Sequence, residues 1–324
     1  MTLPVGNTPP DGSSARAGDR HGKTRPRGIV LMNRASGRTR TGDEARRIEA
    51  LIRDRGDLAL RILDPGDMKG AVEEAVAQGH EMVVAAGGDG TVSLVCGILA
   101  GNRAKLGVLP LGTFNFFARS LGIPQDIETA LDVLGNGRDR PIALGRINDC
   151  VFINNASIGA YAAVLEARET IYERWGRSRL AAYWSVIVAM LTLYRSLKMT
   201  ITADGERRQA RAPLAFFAVR AYQAREYGLS GPEEIEAGKL ALYLAPDTNR
   251  AVLLWRTLKI LLRRVEPGAD YRLITGREIV VETAYPRQTV AHDGERDVME
   301  SPFRVCRVPD AITVVVPADA GEPR

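Results

Sequence analysis

The chain has 324 residues, of which 45% are hydrophobic, and it carries 44 Lys and Arg against 39 Asp and Glu, a formal net charge of +5. That length suggests two domains, and the apolar content is enough for packed cores, which excludes a wholly disordered chain. The mild positive charge suits ATP or anionic lipid; with no helix-turn-helix, RNA-binding signature or basic tract interleaved with aromatics, nucleic acid is not expected as a partner.

Residues 1–27 are rich in Gly, Pro, Ser, Arg and Asp, lack an apolar signal core, and read as a disordered N-terminal tail. Gly28–Met32 is a first strand ending at Asn33 and a Ser36-Gly37 turn. A helix is expected over Asp43–Arg55, with Ala45, Ile48, Leu51 and Ile52 on one face. Leu58–Leu63 is a second strand, Met68–Gln78 a second helix and Glu81–Ala85 a third strand. Alternating β and α segments predict a parallel, doubly wound sheet over residues 28–140.

The third strand runs into Ala86-Gly87-Gly88-Asp89-Gly90-Thr91-Val92 and then a helix. A strand, a glycine turn and a helix start form a backbone anion site, because the first helical N–H groups are free and glycines admit close approach or positive φ. Asp89 would repel phosphate unless a cation such as Mg²⁺ lay between them. Gly87, Gly88, Asp89, Gly90 and Thr91 are therefore candidate ATP-binding residues, with Asp89 also the candidate metal ligand. Leu106–Pro110 is a buried strand followed by Leu111-Gly112-Thr113-Phe114-Asn115, which places Thr113 and Asn115 at a strand's carboxyl end, where open α/β sheets bind ligands. A helix over Ile127–Leu134 and a break near Gly135–Arg138 close this domain.

Residues 141–324 change pattern. Strands are expected at Pro141–Leu144, Val151–Ala156, Lys198–Ala203, Leu214–Ala221, Leu240–Leu244, Arg272–Ile274, Glu278–Glu282 and Thr313–Val316, a mostly antiparallel β domain. Two apolar helices interrupt it, Arg179–Leu197 and Ala251–Val265. The apolar run of the first is shorter than the roughly 20 residues that span a bilayer. Trp184, Trp255 and nearby arginines are candidate contacts to an anionic membrane, although packing of both helices on the sheet is the simpler reading. Cys96, Cys150 and Cys306 lie far apart and show neither a disulfide framework nor zinc spacing, so they read as small core residues in a reducing cytosol. His292 receives no role.

GGDGTV and PLGTFNFFARSLGIP, together with Met32–Gly37, Phe152–Gly159 and Ala291–Glu295, occur in an order that resembles the diacylglycerol kinase-type lipid kinases, which include sphingosine and ceramide kinases. The resemblance runs from about residue 28 to about residue 316. It implies a β-sandwich lipid-substrate domain whose last strand returns to the first domain. It also implies ATP and Mg²⁺ as cofactors, a lipid hydroxyl as acceptor, a cytoplasmic place at the inner membrane face, and Asn33 as a further nucleotide contact. Asp293 and Glu295 are implied as the source of the catalytic base, though Asp-Gly is also a common hairpin turn. A homodimer stays open. Departures from the family pattern are Leu94 and Gly97 in place of Glu and Asn, Phe116 in place of Asp, Asp64-Pro65 in place of Thr, and Arg220–Tyr227 in place of a glycine-rich stretch. These keep alive a catalytically weak nucleotide- or lipid-binding protein, and an NAD kinase-like enzyme is the other alternative.

Overall fold

A computed structural model describes residues 27–37, 42–159 and 196–320. Residues 1–26 of the tail expected over 1–27, and residues 179–195 of the helix expected over Arg179–Leu197, with its candidate Trp184, lie outside the described residues. The N-terminal half alternates β1 (Gly28–Asn33), α1 (Gly42–Asp54), β2 (Leu58–Leu63), α2 (Met68–Ala77), β3 (Met82–Gly87), α3 (Asp89–Leu99), β4 (Lys105–Pro110), α4 (Phe116–Ser120) and α5 (Ile127–Asn136). The four strands pair in parallel in the order β2-β1-β3-β4. Successive side chains of a strand face opposite sides. Accordingly Ile29, Leu31, Val83 and Ala85 meet α2 and α3, while Val30, Met32, Val84 and Ala86 meet α1 and α5. A sheet apolar on both faces must be covered on both, and this yields the doubly wound architecture. The chain leaves β1 toward β2 on one side and β3 on the other. The carboxyl ends of β1 and β3 therefore border the crevice at the reversal of strand order.

The second half adds β5 (Arg138–Ile147), β6 (Cys150–Phe152), β7 (Asn155–Gly159), β8 (Leu197–Ala203), β9 (Glu206–Ala212), β10 (Leu214–Ala218), α6 (Ala221–Glu226), α7 (Pro232–Glu236), β11 (Leu240–Leu244), α8 (Arg250–Leu261), β12 (Arg272–Gly276), β13 (Glu278–Thr283), β14 (Arg287–His292), β15 (Glu295–Glu300) and β16 (Phe303–Val316). One antiparallel sheet runs β12-β11-β10-β7-β14-β15. It packs on the strands around β16 and β13 through Phe152, Ile158, Phe217, Leu242, Val281, Val290 and Phe303.

β16 is the physical link between the halves. Its first part pairs with β13 and β5, and Val314 pairs in parallel with Leu106 of β4, so a single sheet passes from one half into the other. A bulge between Val308 and Ile312, with Asp310 at φ 47°, turns the strand between its two partners.

Several expected boundaries are corrected. Leu197 begins β8 rather than ending a helix. Val151–Ala156 is two strands, β6 and the start of β7. The strand expected over Leu214–Ala221 stops at Ala218, and Ala221 opens α6.

α8 is pinned from below. Asp270, with a 5% exposed side chain, receives Lys259 Nζ at 2.6 Å and the Glu266 N–H at 2.9 Å, with Arg256 Nε at 3.6 Å. Burial pushes the Asp270 carboxyl up, but the Lys259 and Glu266 hydrogen bonds and the Lys259 and Arg256 charges outweigh it and hold the carboxyl below its ordinary value. Asp270→Ala is expected to lower unfolding stability by about 2 kcal/mol, read by urea denaturation. A carboxyl lowered on folding contributes fully above its unfolded value, near pH 4, and the contribution is lost as pH falls. Parent and variant stabilities should therefore converge in acid; curves that stay parallel would assign the loss elsewhere.

Candidate functional site

Two loops meet at the carboxyl ends of β3 and β4. The glycines are there for proximity rather than for unusual dihedrals. Gly88 caps α3 at φ −88°, and Gly87, Gly90 and Gly112 are likewise absent from the positive-φ residues. A Cβ on Gly87 would lie 2.4 Å from Thr91 Oγ1, and one on Gly112 would lie 2.5 Å from the Gly88 Cα. The backbones of the two loops are thus in contact. At Gly90 an added Cβ meets nothing within 4 Å, so this face of the α3 start is open. By helix geometry the first-turn N–H groups of α3 have no intrahelical acceptor.

The other predicted nucleotide residues divide into those that build the loops and those that face outward. Asn33 Oδ1 accepts the Ala35 N–H at 2.9 Å, and Asn33 Nδ2 donates to Thr91 Oγ1 at 2.9 Å. Asn33 thereby orients the Thr91 hydroxyl, whose own hydrogen is left to donate. Asn115 turns inward. It is 6% exposed and left-handed at φ 52°, Oδ1 accepts the Gly112 N–H, and Nδ2 donates to Gly112 O and Gln125 Oε1, each at 3.0 Å. Asn115 therefore closes its own loop. Thr113, at the tip of that loop, is exposed.

Asp89 lies between the loops. Its Oδ2 accepts the Phe116 N–H at 3.1 Å and its Oδ1 the Phe117 N–H at 3.0 Å, so the carboxylate caps α4. The Asn154 side chain also hydrogen-bonds to it. Burial pushes the Asp89 carboxyl above the usual range, and the nearby charge of Asp293 pushes the same way. Asn154 Oδ1 is buried with no hydrogen-bond partner among the described residues.

Asp293 arrives from the other half. β14 and β15 are joined by Asp293-Gly294, both at positive φ (46° and 100°), a two-residue hairpin of the type I′ class. The turn and the site are the same two residues. Asp293 Oδ2 accepts Ser93 Oγ at 2.7 Å and the Ile153 N–H at 2.6 Å, while Oδ1 accepts the Asn154 and Asn155 N–H groups at 2.9 and 3.2 Å. Burial holds the Asp293 carboxyl above the usual range despite these donors. Glu295, two residues on, is exposed at the start of β15.

A carboxylate offers about four lone-pair positions. Asp293 uses all four and Asp89 three. One remaining oxygen position at Asp89 suits Mg²⁺, which binds through one or two carboxylates and otherwise through phosphates and water. Donor chemistry thus fits a metal arriving with a nucleotide.

Three residues to which the sequence reading gave no individual role complete the junction. Ser93 lies one turn after Asp89 on α3, an i,i+4 spacing that puts both on one face. Asn154 follows β6 in an Asn-Asn pair. Arg220, 8% exposed, stacks 4.7 Å over the Phe117 ring and donates to Ile153 O at 2.9 Å and Ala143 O at 3.2 Å, while burial lowers its pKa to about 10. The stretch that replaces the family's glycines is therefore structural: Arg220 braces α4 against the second half, and Gln223 of α6 accepts from Asn155 Nδ2 at 3.2 Å. Phe116, in place of the family's Asp, stacks on Phe114 with centroids 5.3 Å apart.

Residues 27–147 match the diacylglycerol kinase catalytic domain. A Klebsiella pneumoniae (strain 342) protein named "Probable lipid kinase YegS-like" is 40% identical over 141 residues, covering 42% of this chain and 46% of that protein. A Staphylococcus aureus (strain NCTC 8325 / PS 47) protein named diacylglycerol kinase is 33% identical over 190 residues, covering 58% of this chain and 60% of that protein. The chain thus spans about half to three fifths of the length of the curated relatives it matches. The crystal structure of a diacylglycerol kinase from Bacillus anthracis str. Sterne superposes with a TM-score of 0.66 over 90% of this chain and 97% of that one, at 20% identity, a likeness of fold.

Proposed function

We propose that this chain, whose residues 27–147 match the diacylglycerol kinase catalytic domain, is a lipid kinase of that type and transfers the γ-phosphate of ATP, with Mg²⁺, to the hydroxyl of diacylglycerol or a related lipid. The observation that carries the reading is the Ser93–Asp293 hydrogen bond at 2.7 Å. It joins the helix of the phosphate loop to a hairpin of the sandwich, so a phosphoryl donor and a lipid acceptor held by the two halves would meet there. Phosphoryl transfer depends on positioning and on neutralising charge. The open α3 start, with Gly88, Gly90 and Thr91, holds the phosphates; Asn33 aims the Thr91 hydroxyl, and the exposed Thr113 reaches the nucleotide. Asp89 would hold Mg²⁺, which offsets the phosphate charge when bound. Asp293, its carboxyl raised by burial, takes the acceptor's proton once the lipid hydroxyl displaces the Ser93 hydroxyl, the only one of its four donors free to rotate. Glu295, exposed beside the hairpin turn, is the second candidate for that proton.

The test is transfer of labelled phosphate from ATP to mixed micelles of diacylglycerol, monoacylglycerol, sphingosine or ceramide, with NAD as soluble control. Labelled lipid that disappears in Asp89→Ala supports the reading. Labelled NAD alone overturns it. A binding protein of little activity is the second reading. It draws on the Phe114–Phe116 stack, an apolar pair where the family has a carboxylate; nucleotide binding without labelled product would favour it.

The proposal extends to membrane contact through α8. Trp255 is 61%, Leu258 39% and Leu262 56% exposed, and their spacing puts them along one stripe. Arg256 and Lys259 turn the other way, to Asp270. We assign this stripe to the surface of the membrane that carries the substrate. No helix among the described residues is long and apolar enough to cross a membrane. The double variant Trp255→Ala/Leu258→Ser is expected to weaken sedimentation with anionic vesicles at least tenfold and to raise the apparent KM for vesicle-borne lipid. Activity on a short-chain, water-soluble lipid should stay within about twofold. Equal loss on both substrates would place the stripe in the core machinery instead.

A further inference from the structure

Next to the kinase junction lies a cluster that the proposed chemistry does not use. Cys150 of β6, His292 of β14 and Asp297 of β15 bring a sulfur, a ring nitrogen and a carboxylate oxygen within 4.8 Å of one another. Asp297 Oδ2 is 2.7 Å from His292 Nε2, and Cys150 Sγ lies 3.4 Å from Nε2 and 3.7 Å from Nδ1. Nε2 carries either one N–H or one lone pair, and both neighbours lie within 3.4 Å of it. A cation in place of that proton would meet all three atoms at once. We propose that Cys150, His292 and Asp297 form a binding site for a divalent cation of the zinc class, separate from the nucleotide's metal.

The donor set argues for that class. Mg²⁺ and Ca²⁺ take oxygen ligands almost alone. Thiolate, imidazole and carboxylate together suit Zn²⁺, and two anionic ligands balance its charge. Three protein ligands leave a fourth position for water. Entry is from the Asp297 side, whose side chain is 59% exposed, while the imidazole lies beneath at 10%. The sequence hides the site because Cys150 and His292 are 142 residues apart; β14 pairs with β15, which carries Asp297, and with β7, the strand that follows the β6 of Cys150. The consequence is mechanical. His292 immediately precedes Asp293, so a bound ion ties β6 to the hairpin that holds Asp293 in place.

The experiment is a cobalt titration of the 324-residue, tag-free chain after chelation and dialysis, with Zn²⁺ stoichiometry by equilibrium dialysis. Expected are one ion per chain and a near-ultraviolet thiolate-to-cobalt band. Cys150→Ser should remove the band, Asp297→Asn should weaken binding at least tenfold, and Cys306→Ser should change neither. Unfolding midpoints of the metal-free variants check that each still folds. Absence of stoichiometric metal in the folded parent, or a band that persists in Cys150→Ser, overturns the assignment. These readouts do not involve phosphate transfer, so they stand or fall apart from the kinase reading.

Discussion

Asp293→Asn is expected to lower kcat for lipid phosphorylation by about a thousandfold, within the roughly 10²- to 10⁴-fold range of a positioned general base. Asparagine keeps the size of the side chain but presents an NH₂ group to donors: Ser93 and the N–H groups of Ile153, Asn154 and Asn155. Some loss of stability is therefore built into the variant, and activity alone would not separate chemistry from geometry. Ser93→Ala supplies the separation. It removes one donor and leaves the carboxylate and its three backbone bonds. If the acceptor hydroxyl takes the Ser93 position, Ser93→Ala should retain at least a tenth of kcat. Its Kd for ATP should not change. The outcome that would sink the assignment is a folded Asp293→Asn within tenfold of parent kcat, which would pass the role to Glu295.

The loops were the legible part of this site because they are written in composition. Glycines after a buried strand and before a helix can be recognised without knowing what they touch. The alternation of β and α segments that predicts a parallel, doubly wound sheet was equally readable. Three strands escaped: β14, whose buried residues are confined to Val290, Ala291 and His292 at its end, and two others for the opposite reason. β9 reads Glu-Arg-Arg-Gln-Ala-Arg-Ala and β15 Glu-Arg-Asp-Val-Met-Glu; both are edge strands with almost no buried face, so hydrophobic period has nothing to mark. β16 was seen only at its apolar end, because Pro309 and Asp310 break the pattern at the bulge.

The roles of individual residues were less legible than their places. Asn115 was expected at the ligand and instead closes its own turn. Cys150 was expected in the core and is half-buried beside His292. Long-range partners decide such roles, and one chain read in order does not carry them. Ser93 was within reach, since its spacing from Asp89 places it on the same helical face. What no spacing could supply was Asp293, 200 residues away, as its acceptor.

Gly112→Ala is expected to separate the two loops, and Gly90→Ala to block the ligand without disturbing them. At Gly112 the new methyl would sit 2.5 Å from the Gly88 Cα and 2.7 Å from Asn115 Oδ1. The first of these neighbours is main chain, and the second is held by three hydrogen bonds, so neither can swing aside. Relief requires the β3 and β4 loops to move apart, at about 1–3 kcal/mol of stability as in other overpacked sites. Asp89 spans the same gap to α4, so its position should move as well. ATP affinity should fall at least tenfold and kcat with it. At Gly90 the added methyl meets no protein atom, and alanine is the better helix former, so the thermal midpoint should hold or rise slightly. Phosphates seated on the first turn of α3 would nonetheless meet that methyl, so Kd for ATP should rise at least tenfold in a protein as stable as its parent. The two variants together separate loop integrity from ligand contact, by calorimetric binding and thermal unfolding on the same samples. A Gly90→Ala protein that binds ATP as tightly as the parent would move the phosphates off this helix, whatever Gly112→Ala did.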